Sequence, residues 1–189
     1  KVTVKSIDEL PAGAQSGATA LVAGVGTARR IFVSSELTED WTDDEISVVV
    51  AHELAHHAHH DLWRAAGLSA LTFTAALWAA EWTLVMVGPA LGMRGASDLA
   101  ALPLLALVAG VVWLAATPLR HGQSRRHERR ADEFALGLTG GTDAFAAAIR
   151  RLGARHLSEE QPSALTRWLF HRHPSVAERL ALADKFRVS

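Results

Sequence analysis

Two histidines and a glutamate stand close together as His52, Glu53 and His56, in the pattern His-Glu-x-x-His. Residues four apart lie on one face of a helix, so His52 and His56 can bind one metal ion together. Glu53 lies about 100° further around the helix axis, where a carboxylate can act on a water rather than on the metal. This spacing is typical of hydrolysis by a zinc-activated water. The alternative is a chance match, because the chain contains 10 histidines.

Two carboxylates downstream are candidates to complete this site. Zinc in a catalytic site usually takes three protein ligands and leaves one position open. Glu128 and Asp132 are four residues apart, again on one helix face. One of them can complete a His-His-Glu set, and the other can accept a hydrogen bond from the far nitrogen of a ligand histidine. The alternative is a solvated, salt-bridged helix, since arginines flank Glu128 on both sides.

The histidine motif needs a helix, and the residues before it predict one. Thr42 and Glu45 form a capping-box pattern, with acidic residues in the first turn, where the helix dipole favours them. The apolar residues that follow recur at helical spacing and form a stripe for core packing. These are Ile46, Val49, Val50 and Leu54.

Two long apolar stretches separate the histidine motif from Glu128. Residues 65–93 carry a single charged residue, Glu81, and residues 99–119 carry no charge at all. About 20 apolar residues in a helix span a bilayer core, so the second stretch is the stronger membrane candidate and Glu81 weakens the first. The short link at 94–98 makes the two helices antiparallel. The alternative is a pair of buried helices in a soluble bundle.

The charges flanking these stretches predict an orientation. Arg94 alone marks the end at the link, whereas basic residues concentrate at the other end, and the positive-inside rule makes that end cytoplasmic. The basic residues there are Arg64, Arg120, Arg125, Arg126, Arg129 and Arg130.

Strand-like composition marks the N-terminal part at residues 2–4, 19–23 and 29–33, with a hairpin turn at 24–26. Towards the C-terminus, helices are predicted at 142–152, ending at Gly153, at 162–170, and after a second capping box at Ser175.

Composition supports a membrane protein with an oxygen- and nitrogen-ligated metal. Hydrophobic residues make up 49% of the chain, the mean hydropathy is +0.13, and cysteine is absent. A net charge of -1 argues against a general nucleic-acid binder.

Taken together, the motifs resemble the CAAX prenyl protease and HtpX-like group of integral-membrane zinc metallopeptidases (gluzincins). The resemblance covers about residues 18 to 182 and is closer to the CAAX-protease branch, because of the His173-Pro174 pair and Arg179. The other matching segments are Arg30-Ile31-Phe32-Val33, Asp44-Glu45, His52-Glu53-Leu54-Ala55-His56, Ser124-Arg125, Glu128, Ala131-Asp132 and Ala135.

The resemblance implies a role for each residue of the site. His52, His56 and Glu128 would hold one Zn²⁺ per chain, and Glu53 would be the general base. Asp132 would partner a ligand histidine. His173 would stabilise the oxyanion, and Arg179 would orient or support it.

The resemblance also implies that a peptide substrate pairs with the strand formed by Thr19, Ala20, Leu21, Val22 and Ala23. The family often has Asn-Ala where this chain has Thr19-Ala20, so a contact by that amide is not carried over.

The expected fold is mainly α with a small N-terminal β element (α+β), a zincin-like metallopeptidase core interrupted by a two-helix transmembrane hairpin. The expected parts are residues 1–64, the hairpin 65–119, and 120–189 with the third ligand. Family members carry further hydrophobic helices upstream, and the same is expected here.

The expected function is a membrane-embedded zinc endopeptidase with a cytoplasmic active site and a peptide or membrane-protein substrate. One alternative is a membrane metal-binding or transport protein that uses the histidine-rich helix. The other is a non-catalytic, peptide-binding relative. The sequence indicates neither the substrate nor the oligomeric state.

Overall fold

A computed structural model describes residues 4–10, 20–24, 26–155 and 163–188 of the 189-residue chain. The strands are β1 (Ser6–Glu9), β2 (Ala20–Ala23) and β3 (Arg30–Val33). The helices are α1 (Ser35–Asp40), α2 (Asp43–Ala58), α3 (Asp61–Val87), α4 (Leu102–Thr139), α5 (Thr142–Arg155), α6 (Ala164–Phe170) and α7 (Val176–Val188). The fold is therefore mainly helical with a small sheet, as the sequence predicted.

The sheet has the order β1-β3-β2, with β1 parallel and β2 antiparallel to β3. The β2–β3 hairpin was predicted from its glycines, and Gly24 shows why one is needed. Its φ is +100°, and a Cβ there would lie 2.6 Å from the Ala28 oxygen. The strand β1 at Ser6–Glu9 was not predicted, and residues 2 and 3 of the strand predicted at 2–4 lie outside the described residues.

Helix α2 lies between the two halves of the core. Its capping box is confirmed, with the Thr42 hydroxyl accepting from the Glu45 N–H and the Glu45 carboxylate accepting from the Thr42 N–H. On one side Val49 and Val50 pack against the sheet, and on the other Val48 packs against helices α4, α5 and α7. Packing on both sides fixes the direction in which the histidine motif points.

Helices α3 and α4 form the predicted antiparallel hairpin. They have 27 and 38 residues, and large apolar side chains cover their outer surface, among them Trp78, Leu114 and Leu119. Within its most apolar 18 residues, α4 is only 6% buried. A buried pair in a soluble bundle would cover these side chains, and no described residue of this chain does so.

The apolar stretch and the carboxylates downstream belong to one helix. Helix α4 continues through Pro118 to Thr139, a length of about 57 Å at 1.5 Å per residue. The hairpin is thus continuous with the element that carries Glu128 and Asp132.

The C-terminal helices differ slightly from the prediction. Helix α5 does not stop at Gly153 but continues to Arg155, and α6 begins at Ala164, with Pro162 outside the described residues. The capping box before α7 is confirmed, since the Ser175 hydroxyl accepts from the Glu178 N–H at 3.2 Å. Gly153 has a packing role: a Cβ there would lie 2.7 Å from Val176 Cγ2. Helices α5 and α7 therefore approach closely.

Candidate metal centre

The three predicted metal ligands lie close together. Helix α2 presents His52 and His56, and α4 presents Glu128, with one candidate ligand atom from each within 4.8 Å of the other two. The Nε2 atoms of His52 and His56 each lie 3.5 Å from a Glu128 carboxylate oxygen. The structure thus brings together residues that are more than seventy positions apart in the chain.

The far nitrogen of His52 faces a carboxylate. Its Nδ1 lies 2.9 Å from Asp132 Oδ1, and the Asp132 side chain is almost fully buried. Arg179, on α7, donates to both oxygens of Asp132, at 2.8 Å from Nε and 2.5 Å from a terminal nitrogen. Arg179 therefore reaches the site through Asp132 and His52, a contact that the sequence did not indicate.

His56 has a carboxylate partner of its own that the sequence analysis missed. Its Nδ1 lies 3.0 Å from Oδ2 of Asp61, the buried first residue of α3. The other oxygen of Asp61 lies 3.5 Å from His127 Nε2. Asp61 reaches this position because His60, just before it, has a left-handed φ of 57°. The only available signal was an aspartate five residues after His56.

The surroundings change the proton affinity of His52 and Glu53. Burial alone would lower the pKa of His52, but contacts with Asp132 and Glu128 outweigh burial and raise it from 6.5 to about 9. Burial raises the pKa of Glu53, while the neighbouring His52 and His56 act in the opposite direction. A carboxylate with a raised pKa is a better proton acceptor once it is ionised.

A cleft of about 840 Å³ gives access to the site. His52, Glu53 and Glu128 line it, together with apolar side chains of α2 and α5. His173 stands at the cleft with a largely exposed side chain, and its Nδ1 lies 2.9 Å from Glu128 Oε2. The structure therefore places His173 next to a ligand carboxylate, and its oxyanion role stays a prediction.

The backbone N–H and C=O groups of successive β2 residues point alternately towards β3 and away from it. The Val33 carbonyl accepts a hydrogen bond from the Leu10 N–H, so the backbone groups of Val33 point towards β1. Successive residues of a strand point their backbone groups to opposite sides, so those of Phe32 point towards β2. Leu21, the partner of Phe32, therefore faces β3, and Val22 turns its backbone groups outward. The outer edge of β2 is available for pairing at every second residue.

Helix α2 makes a hydrogen bond to this outer edge of β2. His57 Nε2 donates to the Val22 carbonyl at 2.9 Å, linking the residue after His56 to the predicted substrate strand. Ala20 faces the same way as Val22 by the same alternation. Thr19 lies outside the described residues.

The residues present fit a zinc ion. Imidazole nitrogens and a carboxylate oxygen are zinc ligands, and three of them with one open position make a catalytic set. Each ligand histidine faces a carboxylate at its other nitrogen, which fixes the tautomer and leaves Nε2 free for the metal.

Comparison with known proteins places this geometry in context. Residues 11–187 match the sequence model of peptidase family M48. The chain is 29% identical to the uncharacterized metalloprotease YhfN of Bacillus subtilis over 88% of its length and 40% of that protein's. It is 31% identical to the protease HtpX of Xylella fastidiosa, covering 80% of this chain and 57% of that protein. The chain thus spans about half the length of these relatives.

A solved structure has the same fold. The crystal structure of S. mikatae Ste24p matches with a TM-score of 0.71 at 22% identity, over 96% of this chain and 44% of that one.

Proposed function

Because the chain belongs to peptidase family M48, we propose that it is a zinc-dependent endopeptidase whose active site is built by His52, His56 and Glu128. One observation supports this most directly: the ligand atoms of these residues lie within 4.8 Å of one another, and Glu53 lines the same cleft. Zinc bound there would supply a Lewis acid that lowers the pKa of water and polarises the substrate carbonyl.

Glu53 acts as general base and then as general acid. Its carboxylate takes a proton from the water that attacks the peptide carbonyl, and it returns the proton to the leaving amine. The raised pKa of Glu53 suits both steps, because the group must bind the proton and release it again.

The supporting residues hold this arrangement in place. Arg179 fixes Asp132, and Asp132 in turn fixes the His52 ring. His173 stabilises the developing oxyanion from the mouth of the cleft, close to the positive end of α7. Its contact with Glu128 keeps it near the reacting carbonyl.

An extended peptide substrate pairs with the outer edge of β2, the predicted strand of residues 19–23. The outward-facing backbone groups of Ala20 and Val22 offer hydrogen bonds that do not depend on the substrate's sequence. Because His57 already donates to the Val22 carbonyl, the substrate uses the Val22 N–H and the groups of Ala20. Peptides or membrane proteins in an extended conformation are the expected substrate class.

The hairpin anchors the enzyme in a membrane. Helices α3 and α4 are long enough and apolar enough to cross a bilayer, and their outer faces are exposed. Both halves of the site lie at the end rich in arginine, which the positive-inside rule makes cytoplasmic. The parts at 1–64 and 120–189 then form one catalytic unit around the hairpin at 65–119.

The decisive experiment compares the parent chain with Glu53→Gln. The substitution is expected to keep one zinc per chain and to lower the cleavage rate of an unfolded protein substrate by about a hundred- to ten-thousandfold. Glu39→Gln, which changes an exposed carboxylate on α1, serves as the matched control and should cleave at the parental rate. Removing zinc with a chelator should stop cleavage, and adding zinc should restore it.

The same preparation tests the two alternatives. A metal transporter would bind several ions per chain and would not depend on Glu53. A non-catalytic peptide-binding relative would hold the substrate without cleaving it. Equal cleavage by Glu53→Gln and the parent would show that the assignment of the base is wrong.

A further inference from the structure

A small polar cavity lies between α3 and α4, at the end of the hairpin nearest the metal centre. Its volume is about 170 Å³, equivalent to several waters of roughly 30 Å³ each. Arg120 of α4 and Arg172, from the segment between α6 and α7, are the two arginines among its lining residues. Ser69 and Gln123 add polar groups, and Leu68 adds an apolar wall. Among the residues that the structure describes, no aspartate or glutamate lines it.

The cavity stands where the apolar part of the hairpin ends. Arg120 directly follows the uncharged stretch 99–119 on α4, and Ala65, also in the wall, begins the apolar stretch on α3. The Arg120 guanidinium lies 3.8 Å from the centre of the Trp113 ring. Tryptophan and arginine in such a stack are typical of the membrane–water boundary. The cavity therefore lies at the depth of lipid headgroups if the hairpin spans a bilayer.

The charges around the cavity favour an anion. Arginine presents a planar fork of donors that matches the oxygens of a phosphate group. His127, also in the wall, contacts Asp61, but that carboxylate is held on its other side by His56. Gln123 already donates to the Arg64 carbonyl at 3.2 Å, which orders the wall of the cavity.

We propose that this cavity binds the phosphate group of an anionic phospholipid in the cytoplasmic leaflet. A free phosphate would satisfy the two arginines equally well, but it would leave Ala65 and Leu68 facing water. A lipid places its headgroup on the arginines and its acyl chains along the exposed apolar surface of α3 and α4. The proposal relies on the membrane orientation given above and not on peptidase activity.

The test measures lipid binding to the purified chain in a neutral detergent by native mass spectrometry. Phosphatidylglycerol is expected to bind as one retained lipid per chain, and phosphatidylcholine is not. Arg120→Gln combined with Arg172→Gln should lower the phosphatidylglycerol affinity by well over tenfold, since each membrane-proximal arginine contributes about 1 kcal/mol, or about fivefold. Arg172→Gln alone keeps the Arg120–Trp113 stack and should lower the phosphatidylglycerol affinity about fivefold.

The matched control removes two charges at the same end of the hairpin. Arg126→Gln combined with Arg130→Gln changes two exposed arginines of α4 outside the cavity and should alter the affinity less than twofold. Equal losses in the two double variants would show diffuse attraction and overturn the site. Displacement of the lipid by millimolar inorganic phosphate would overturn the lipid assignment.

Two further measurements separate a failed site from a failed fold or a wrong membrane assignment. Each variant should still bind one zinc. The parent should float with vesicles of either lipid if the hairpin is inserted. An inserted chain that shows no preference for phosphatidylglycerol would contradict only the present inference.

Discussion

Each histidine of the proposed metal centre faces a buried carboxylate, and the two carboxylates come from different helices. Asp132 of α4 lies against His52, and Asp61 of α3 lies against His56. Such contacts fix the ring orientation and raise the basicity of the nitrogen that binds metal. Both proposed ligands are therefore contacted at Nδ1 by a carboxylate: Asp132 is bound by Arg179, and Asp61 lies beside His127.

Asp61 is expected to contribute to metal affinity. Asp61→Ala removes the partner of His56 and should weaken zinc binding by about 10- to 100-fold. Asp61→Asn keeps a hydrogen-bond acceptor and should recover part of the loss. Competition with a fluorescent zinc chelator measures the affinity, and Asp44→Asn, an exposed change on α2, is the control. Unchanged affinity in Asp61→Ala would refute this role.

Zinc affinity is expected to rise with pH. The pKa of His52 is about 9 without metal, so at lower pH a proton must leave its ring before zinc can bind. Between pH 6.5 and 8.5 this residue alone gives close to a tenfold gain in affinity per pH unit, and the gain ends as the pH passes 9. Chelator competition at several pH values tests it. A flat profile would mean that Asp132 and Glu128 do not hold a proton on His52.

At the scale of elements, local patterns were predictable and contacts across the fold were not. The capping boxes at Thr42 and Ser175 and the spacing of His52 and His56 depend on residues three or four apart, so the sequence contains them. Asp61 depends on a left-handed turn at His60 and on two helices meeting, and no local pattern encodes that. The resemblance to a family, confirmed by the M48 match, supplied Glu128, which spacing alone left ambiguous.

The continuity of α4 was also not predictable. Pro118 and the change from apolar to charged residues at Arg120 suggest a boundary there. The helix nevertheless continues through Pro118, although an interior proline removes one backbone hydrogen bond and crowds the carbonyl four residues earlier.

The close approach of α5 and α7 depends on Gly153. Gly153→Ala places a methyl group 2.7 Å from the stiff Val176 side chain and should destabilise the fold by about 1–3 kcal/mol. It should also lower activity, since Val176 follows the segment that carries His173. Gly137→Ala in α4 meets no atom within 4 Å and should be neutral or slightly stabilising.

Urea titration in detergent measures these stabilities. Combining Gly153→Ala with Val176→Ala removes the clash and should recover part of the loss. Equal stability of Gly153→Ala and the parent would show that the two helices separate without cost.

On the scale of the whole molecule, the chain is a member of peptidase family M48 in which an apolar helical hairpin extends from the part that carries the candidate site. The two parts that build the site are separated in sequence by the hairpin, which returns the chain to its starting side. About half of each curated relative lies beyond the matched region, so further elements in those proteins have no counterpart in the described residues.

The orientation of the hairpin can be mapped with single cysteines, because the chain has none of its own. Ser97→Cys lies at the tip of the hairpin and Ser47→Cys on α2, both exposed. A membrane-impermeant thiol reagent should label Ser97→Cys in intact cells, and Ser47→Cys only after permeabilisation. The reverse pattern would invert the orientation, and labelling of both from one side would exclude a spanning hairpin.

Asp61 is the first residue of α3, and Glu128 lies on the helix that continues from the apolar stretch of α4. In a bilayer that is thinner or thicker than the hairpin, these helices change their tilt to match it. Since no flexible linker separates Asp61 from α3, such a tilt is transmitted to the ring of His56. With the hairpin in a bilayer, as proposed, the acyl-chain length of the surrounding lipids would then set the spacing of the proposed metal ligands.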